Sequence, residues 1–263
     1  MFFFQPGGAA VLAMGAPPCP PGCPPGIEYF TMLDRIWVIE KLQLIEAVTI
    51  WEANQKWQCL NNTGLQVYSA QEKTACCSRQ CCCSHRAFTI DCFDPLGRPV
   101  IKLTRPLRCN SAWSCILPLN CCCLQTMQVH DLNGNLIGRV RQNWALFHPT
   151  FELCDEVGEV LLTISGPCFT SPCFGDVNFD IIGTKNDGSN RKGVIGSVTK
   201  KWGGIVREVF LPGNADTFAC VFPMELGWKP KVLIYSATFL IDFMFFEDKG
   251  RERRRIEGLV AAR

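Results

Sequence analysis

The chain lacks the sequence signatures of the common enzyme classes. It contains no GxSxG, HExxH, GxxxxGKS/T or GxGxxG motif, in which a nucleophile, zinc ligands or phosphate-binding glycines stand at fixed spacing. Its three histidines, His85, His130 and His148, belong to no recognisable catalytic motif with serine or cysteine. We therefore expect a protein that is not an enzyme.

The chain also lacks a strong net charge and an early positive charge. Its 26 Lys and Arg and 24 Asp and Glu give a formal charge of +2. A net charge this small does not drive tight nucleic-acid binding through neutralisation of phosphate charges. No Lys or Arg precedes Arg35, so the apolar residues 1–16 lack the charged region of a secretory signal, and we expect no cleaved targeting peptide.

The apolar run Val232–Phe246 is short for a membrane-spanning helix. Its fifteen residues would form a helix of about 22 Å, whereas the hydrocarbon core of a bilayer is about 30 Å thick. The run also contains Asp242, and a lone acid deep in lipid costs about 3 kcal/mol. A helix buried in protein, with Asp242 hydrogen-bonded to protein, is favoured, and a real or strained membrane span is the alternative.

Cysteine, by contrast, is abundant. There are 18 cysteines, and many are adjacent in sequence. Disulfide frameworks space their cysteines along short secreted chains, so adjacent cysteines favour a reducing compartment. Zinc also fits poorly near His85, because adjacent thiolates cannot all ligate one tetrahedral ion. The adjacent cysteines are Cys76, Cys77, Cys81, Cys82, Cys83, Cys121, Cys122 and Cys123.

The composition divides the chain into a leader, one large domain and a tail. Residues 1–26 form a Pro/Gly/Cys-rich leader whose PPxxP spacing also permits an SH3 or WW ligand. Residues 27–247 form the domain, and residues 248–263 form a basic tail. Within the domain, the early segment 27–51 fits a helix or a buried strand.

Five segments of the domain each predict a β-hairpin. Each places a polar turn with glycine between two β-rich segments, which is the strongest short-range hairpin signal. About ten strands are enough for a sheet to close, and a barrel of that size encloses more room than its own side chains fill. A hydrophobic helix inside would supply the missing core, so we expect a mostly β protein. The five segments are 57–68, 88–103, 127–140, 151–164 and 179–198.

Several segments together resemble the phospholipid scramblase family. The C-terminal motif is the most specific, because an Asp inside an aromatic apolar run is not a generic pattern. The resemblance implies a Tubby-like closed barrel of about 12 strands around a C-terminal hydrophobic helix, residues 232–246. It also implies calcium-dependent, ATP-independent, bidirectional movement of phospholipids between membrane leaflets. The segments are CPPGIEYF (23–30), WEANQKW (51–57), RPLRC (105–109), SGPC (165–168), WGGIVRE (202–208) and FLIDFMFFE (239–247).

The resemblance further implies a calcium segment over Asn214–Glu225. Only Asp216 and Glu225 supply carboxylates, and Ala219 stands where a sharp calcium loop has glycine, so we expect weak binding of Ca²⁺. Three of the positions alternate, as the inward face of a plain strand also would, and this alternative stays open. The six positions are Asn214, Asp216, Phe218, Cys220, Phe222 and Glu225.

The same resemblance implies covalent palmitate on cysteines. The triplet Cys121, Cys122 and Cys123 falls where the family carries its acylated cluster, although AWSCILPLN (112–120) separates Cys109 from it. Two or more acyl chains hold a protein stably at a membrane without a spanning helix. Buried small apolar thiols are the alternative. The weaker palmitoylation candidates are Cys109, Cys115, Cys76, Cys77, Cys81, Cys82 and Cys83.

Two more features bear on location. Gly196–Ile205 resembles the family's nuclear import segment through Lys200, Lys201 and Trp202, and a strand end with solvated lysines is the alternative. The basic tail favours the cytoplasmic side of a membrane. We expect a protein at the cytosolic face of the plasma membrane, single-pass or lipid-anchored, with the nucleus as a second location.

A second class of function stays open. The chain would then be a membrane-tethered adaptor or a transcription-linked binding protein that uses the barrel without transporting lipid. The expected partners are membrane phospholipids and, less directly, SH3 or WW proteins, importin and DNA, and an oligomer is compatible with the sequence. The expected cofactors are weakly bound Ca²⁺ and palmitate.

Overall fold

Twelve antiparallel strands close into one barrel within the described part of the chain. The computed structural model describes residues 17–41, 54–74, 86–108, 124–168, 170, 175–183, 193–201 and 216–247. The strands are β1 Arg35–Glu40, β2 Lys56–Leu60, β3 Gln66–Lys73, β4 Phe88–Phe93, β5 Pro99–Arg105, β6 Thr126–Asp131, β7 Leu136–Asn143, β8 Thr150–Asp155, β9 Val160–Ser165, β10 Val177–Gly183, β11 Gly193–Lys201 and β12 Thr217–Val221. Sequential strands pair from β1 to β12, and β12 pairs with β1 to close the sheet.

All five predicted hairpins are present. In four of them, the turn begins with an Asn or Asp whose side-chain oxygen accepts backbone N–H groups from later turn residues. A glycine with positive φ follows three residues later in each. Only such a residue adopts this backbone without strain, so the turn chemistry sets the pairing register. The four turn-opening residues are Asn61, Asp94, Asp131 and Asp155.

The described part of segment 27–51 contains a strand. Glu28–Met32 forms a 3-10 helix, and β1 follows it. β1 pairs with β2 on one side and with β12 on the other. Without β1, strands β2 and β12 would be exposed edges of an open sheet. Because β1 covers both edges, this segment forms a strand and not a helix.

The end of the leader packs against the barrel. Cys23 is buried, and the Tyr68 hydroxyl donates a hydrogen bond to the carbonyl oxygen of Gly26 at 2.9 Å. Gly26 has φ +90, and a Cβ there would lie 2.1 Å from Cγ1 of Val100. Glycine is therefore required where the chain enters the barrel wall.

The C-terminal helix lies inside the barrel, as predicted. This helix, α1, spans Trp228–Phe245 and begins before the predicted Val232. Pro230 is tolerated because the N–H groups of a first helical turn have no helical partner. Every residue from Lys231 to Phe243 is buried, so all faces of α1 contact protein, as expected for a helix that is apolar all round. Among the described residues, no helix combines the length and apolar character needed to cross a bilayer.

Aromatic rings and small polar groups lock α1 to the barrel wall. Phe243 stacks on Phe88 with ring centroids 4.1 Å apart, and Phe239 meets Trp57 edge to face at 5.1 Å. The Tyr235 hydroxyl lies 3.3 Å from the Cys59 sulfur. The hydroxyls of Ser236 and Thr238 donate to carbonyl oxygens one turn earlier in α1. These contacts give the hydroxyl groups of the buried helix their hydrogen-bond partners.

The two ends of the barrel differ. At the turn end lie the short turns 61–65, 94–98, 131–135 and 155–159 and the start of α1, where Lys229 Nζ contacts Glu156 Oε2 at 2.6 Å. At the loop end lie the end of α1 and the strand ends that flank six connections, β1–β2, β3–β4, β5–β6, β7–β8, β9–β10 and β11–β12, whereas β10 and β11 are joined at the turn end. There the N–H of Glu40 donates to the carbonyl oxygen of Asp216 at 2.9 Å.

Truncating the helix core should destabilise the protein strongly. Phe243→Ala removes a ring that is 1% exposed, and we expect a loss of about 3–5 kcal/mol in the free energy of unfolding. Phe147→Ala makes the same change at a side chain that is 70% exposed, and we expect a loss below about 0.5 kcal/mol. Urea unfolding without detergent measures both. Equal small losses would contradict the enclosed helix.

Candidate functional site

A buried ionic network holds the end of α1 at the loop end of the barrel. Arg86 is 1% exposed, and its Nε lies 2.8 Å from Glu72 Oε1 while its Nη2 lies 2.7 Å from Glu247 Oε1. The guanidinium also lies over the ring of Phe243, 4.8 Å from its centroid. A buried charge is tolerated only when it is paired in this way. Arg86 therefore ties strand β3 to the residues that end α1.

A second buried cation, Lys200, faces two carboxylates of the same region. Its Nζ lies 3.0 Å from Asp216 Oδ1 and 3.6 Å from Asp242 Oδ1. The rings of Phe218 and Phe246 flank the ammonium at 4.4 and 5.2 Å. This arrangement fixes β11 and β12 against α1 through one shared positive charge.

Asp242 is buried as predicted, at 4% exposure. Among the described residues, Oδ1 of Asp242 accepts no hydrogen bond and lies 3.6 Å from Lys200 Nζ. The ammonium that β11 brings to this depth therefore stands beside Oδ1 in place of a hydrogen-bond donor.

The surroundings of Asp242 favour its neutral form. Burial raises the pKa of Asp242 to about 7, Lys200 opposes the rise, and Asp216, Glu40 and Glu247 add to it. Its proton is therefore taken up and released close to physiological pH, while Lys200 retains Asp216 as a partner.

The described part of the predicted calcium segment is mainly strand β12. Phe218 and Cys220 face the interior, where the Cys220 sulfur lies 3.0 Å from Oγ1 of Thr238. Phe222 is also buried, beneath the ammonium of Lys231. Residues 217–221 therefore follow the alternative of a plain strand with an inward face.

The strand separates the two carboxylates of that segment. Asp216 precedes β12 at the loop end, and the exposed Glu225 follows it at the turn end. Five extended residues span about 17 Å, so the structure does not bring these carboxylates to one ion. Asn214 lies outside the described residues, within which no cluster of three or more His, Cys, Asp or Glu could hold a metal. Calcium binding stays a prediction.

The two lysines of the import-like segment point to opposite sides of the barrel wall. Successive side chains of a strand alternate, so Lys200 faces inward while Lys201 faces outward and contacts Asp176 at 2.6 Å. Lys201 lines an outer groove of about 410 Å³ together with Arg35 and Trp37. Only one of the two lysines is thus available to a partner. Trp202 lies outside the described residues, and nuclear import stays a prediction.

The described cysteines are free thiols. Burial raises the pKa of Cys92 and of Cys220 to about 12, so both are protonated. The exposed Cys168 lies 3.5 Å from each ring nitrogen of His148, a pairing that the sequence did not reveal. A sulfur equally distant from both nitrogens lies on the lone-pair axis of neither, so this pair lacks the geometry of a nucleophile and its base.

The palmitoylation candidates lie outside the described residues. The strand ends that flank them are nevertheless described. Segment 75–85 joins Lys73 to Phe88, and segment 109–123 joins Arg105 to Thr126. Both connections start and finish at the loop end. The candidates are Cys76, Cys77, Cys81, Cys82, Cys83, Cys109, Cys115, Cys121, Cys122 and Cys123.

The titration of Asp242 predicts a pH-dependent stability. Its folded-state pKa of about 7 lies above the unfolded value of about 3.9, so the folded protein holds the proton more tightly. The stability from this group is present below pH 4 and is lost as the pH rises to about 7. Asp242→Asn should therefore gain stability relative to the native chain across this window, by a few kcal/mol at about pH 8. Urea midpoints at successive pH values measure the difference. A difference that does not change with pH would contradict the assignment.

Comparison with known proteins identifies the family. A family model described as Scramblase matches residues 14–248. Phospholipid scramblase 1 of Rattus norvegicus is 41% identical over 242 residues, which cover 92% of this chain and 68% of that protein. Phospholipid scramblase 1 of Homo sapiens is 42% identical, over 95% of this chain and 74% of that protein. Phospholipid scramblase 2 of Homo sapiens is 38% identical, over 89% of this chain and 74% of that protein. The chain with the enclosed helix and its buried ionic network therefore belongs to the phospholipid scramblase family.

Proposed function

We propose that this protein moves phospholipids in both directions between membrane leaflets, independently of ATP and under the control of calcium. The observation that carries the proposal is the family match over residues 14–248, together with relatives named phospholipid scramblases. The sequence contains no nucleotide-binding GxxxxGKS/T motif, which agrees with ATP independence. Moving a lipid makes and breaks no covalent bond, so the activity is transport and not catalysis.

Transport requires a form of the protein that offers apolar surface to lipid. In the described form, α1 is enclosed, and the apolar surface of the helix faces protein. The end of α1 is fixed at the loop end through Arg86 and Lys200. Loosening either ion pair would free the last turn of α1 first. We therefore infer that the change toward an active form begins at this network.

Calcium has a physical route to that network through Asp216. This carboxylate belongs to the implied calcium segment and contacts Lys200 at 3.0 Å. A calcium ion at Asp216 would compete with Lys200 for the carboxylate and alter the electrostatic balance at Asp242. A site with so few carboxylates would bind weakly, with a dissociation constant of about 10⁻⁴–10⁻³ M. Glu225, at the other end of β12, would bind the same ion only after rearrangement.

Membrane attachment is proposed to depend on palmitate at Cys121, Cys122 and Cys123. More than one acyl chain gives stable attachment. The connection that carries these cysteines starts and finishes at the loop end, where Glu247, the last described residue before the basic tail, also lies. The proposed location is the cytosolic face of the plasma membrane.

The enclosed helix also favours a second candidate function. A barrel whose core is complete can serve as a rigid binding module, and the outer groove beside Lys201 offers it a polar surface. In this case the protein is a membrane-tethered adaptor, with SH3 or WW proteins, importin or DNA as candidate partners. A lipid-exchange measurement distinguishes the two functions, because an adaptor would not move lipid between leaflets.

Lipid exchange in vesicles tests the proposed function. The acylated protein, reconstituted into vesicles with a fluorescent phospholipid in both leaflets, should make inner-leaflet lipid accessible to dithionite when calcium is added. Asp216→Asn should require about tenfold more calcium, because the proposed site loses one of its few carboxylates. Asp176→Asn is the matched control, since it removes the outward partner of Lys201, and its calcium response should be unchanged. Exchange no faster than in empty vesicles would contradict the transport function.

Cell fractionation tests the proposed acylation. Replacing Cys121, Cys122 and Cys123 together with Ser should move most of the protein from the membrane fraction to the soluble fraction, as should hydroxylamine treatment of the native protein. Cys19→Ser changes an exposed cysteine of the leader and should have no effect. A triple variant that stays fully membrane-bound would contradict acyl anchoring at this triplet.

A further inference from the structure

Four large apolar side chains are exposed at the loop end of the barrel. Trp144 is 43% exposed, Leu146 51% and Phe147 70%, all in the connection between β7 and β8. Leu107, which follows β5, is 65% exposed. Only β6 separates β5 from β7, so the two strand axes are about 10 Å apart. Exposed apolar side chains this close together indicate an interaction surface. We call Leu107 and residues 144–147 the apolar rim.

Hydrogen bonds fix the ends of the two connections that carry the apolar rim. Before it, the Asn143 side chain donates to Glu152 Oε1 at 2.6 Å. After it, the carbonyl oxygen of Pro149 accepts from the N–H of Gly166 at 2.8 Å. On the other connection, Arg108 Nη1 donates to the carbonyl oxygen of Leu124 at 2.8 Å. With these hydrogen bonds in place, the apolar side chains are exposed while the barrel remains closed.

We propose that the apolar rim inserts into the headgroup region of a phospholipid bilayer, so that the loop end faces the membrane. Tryptophan is enriched at membrane interfaces because its ring is apolar and its N–H is polar. Leucine and phenylalanine beside it add buried apolar area, which strengthens interfacial binding. The proposal rests on the proposed function, which places the protein at phospholipid membranes.

Three features of the loop end favour a lipid surface over a protein partner. The connections that carry the candidate acylated cysteines start and finish there, so an acyl chain would draw this end to the bilayer. Glu247, the last described residue, lies at this end beside Arg86. The basic residues that follow would complement anionic headgroups. They are Lys249, Arg251, Arg253, Arg254 and Arg255.

The turn end is a poorer membrane surface, although it also exposes apolar residues. Leu96 is 53% exposed, Leu132 63% and Val157 82%, one in each of three turns, and Met32, Val194 and Met224 are exposed near the same end. These turns are acidic, since Asp131 precedes Leu132 and Asp155 and Glu156 precede Val157, and carboxylates are repelled by anionic lipid. The same chemical type of exposed side chain thus occurs at both ends, which supplies a matched control.

Vesicle binding by protein without acyl chains tests the proposal. The full chain is sedimented with vesicles of phosphatidylcholine and phosphatidylserine, and the free and bound fractions give a partition coefficient. The double variant Leu146→Ser and Phe147→Ser should bind about tenfold more weakly or worse, because two inserted side chains are lost. The double variant Leu132→Ser and Val157→Ser should bind within about twofold of the native chain, because these residues face away from the bilayer. Urea unfolding shows that each variant is folded.

Three results would overturn the proposal. They are unchanged binding of the Leu146 and Phe147 variant, an equal or larger loss in the Leu132 and Val157 variant, and no binding by the native chain. Lipid exchange is measured separately, with the acylated protein reconstituted into vesicles of the same lipids and with calcium added, and it keeps the two proposals apart. Rim-dependent binding of the protein without acyl chains, together with no exchange by the acylated protein, refutes the transport function and supports the docking surface. Exchange by the acylated protein, together with rim-independent binding, supports the transport function and refutes the docking surface.

Discussion

The structure depends on the burial of one apolar helix inside a closed barrel. Twelve strands enclose more space than their own side chains fill, and α1 supplies the missing core with Tyr235, Phe239 and Phe243. The helix in turn has nowhere else in the described molecule to place its apolar surface, because all of its faces are apolar. Barrel and helix therefore stabilise one another, and neither is a complete folding unit alone.

Burying the end of α1 also buries charged groups, which need partners of opposite charge. Asp242 and Glu247 enter the loop end, where Lys200 and Arg86 compensate them. A buried ion pair such as Arg86–Glu247 stabilises a fold weakly but is costly to break, so it favours one position of the helix over others. Burial raises the pKa of Asp242 to about 7, so its charge near neutral pH depends on the charges around it. A ligand that alters Lys200 or Asp216 would act on the helix through it.

Local chemistry made the hairpins and the helix predictable from sequence. A turn such as Asp94 to Arg98 carries its own hydrogen-bond acceptor and its glycine, so no distant residue is needed to specify it. The strand nature of β1 and the pairs Lys200–Asp242 and Arg86–Glu247 were not predictable, since the partners are distant in sequence and only barrel closure brings them together. The opposite orientation of Lys200 and Lys201 follows from alternation, but only once the segment is known to be a strand. The exposure of residues 144–147 could not be predicted either, because apolar residues in a sequence usually indicate the protein core.

Amide hydrogen exchange of α1 in aqueous buffer, without lipid or detergent, tests the central claim most directly. An enclosed helix should exchange the amides of residues 232–243 only through global unfolding, as slowly as the slowest amides of the barrel strands. The free energy of exchange should match that of urea unfolding. Exchange of α1 that is faster than that of the strands by several orders of magnitude would contradict the account, because it would show that the helix leaves the barrel while the sheet stays intact.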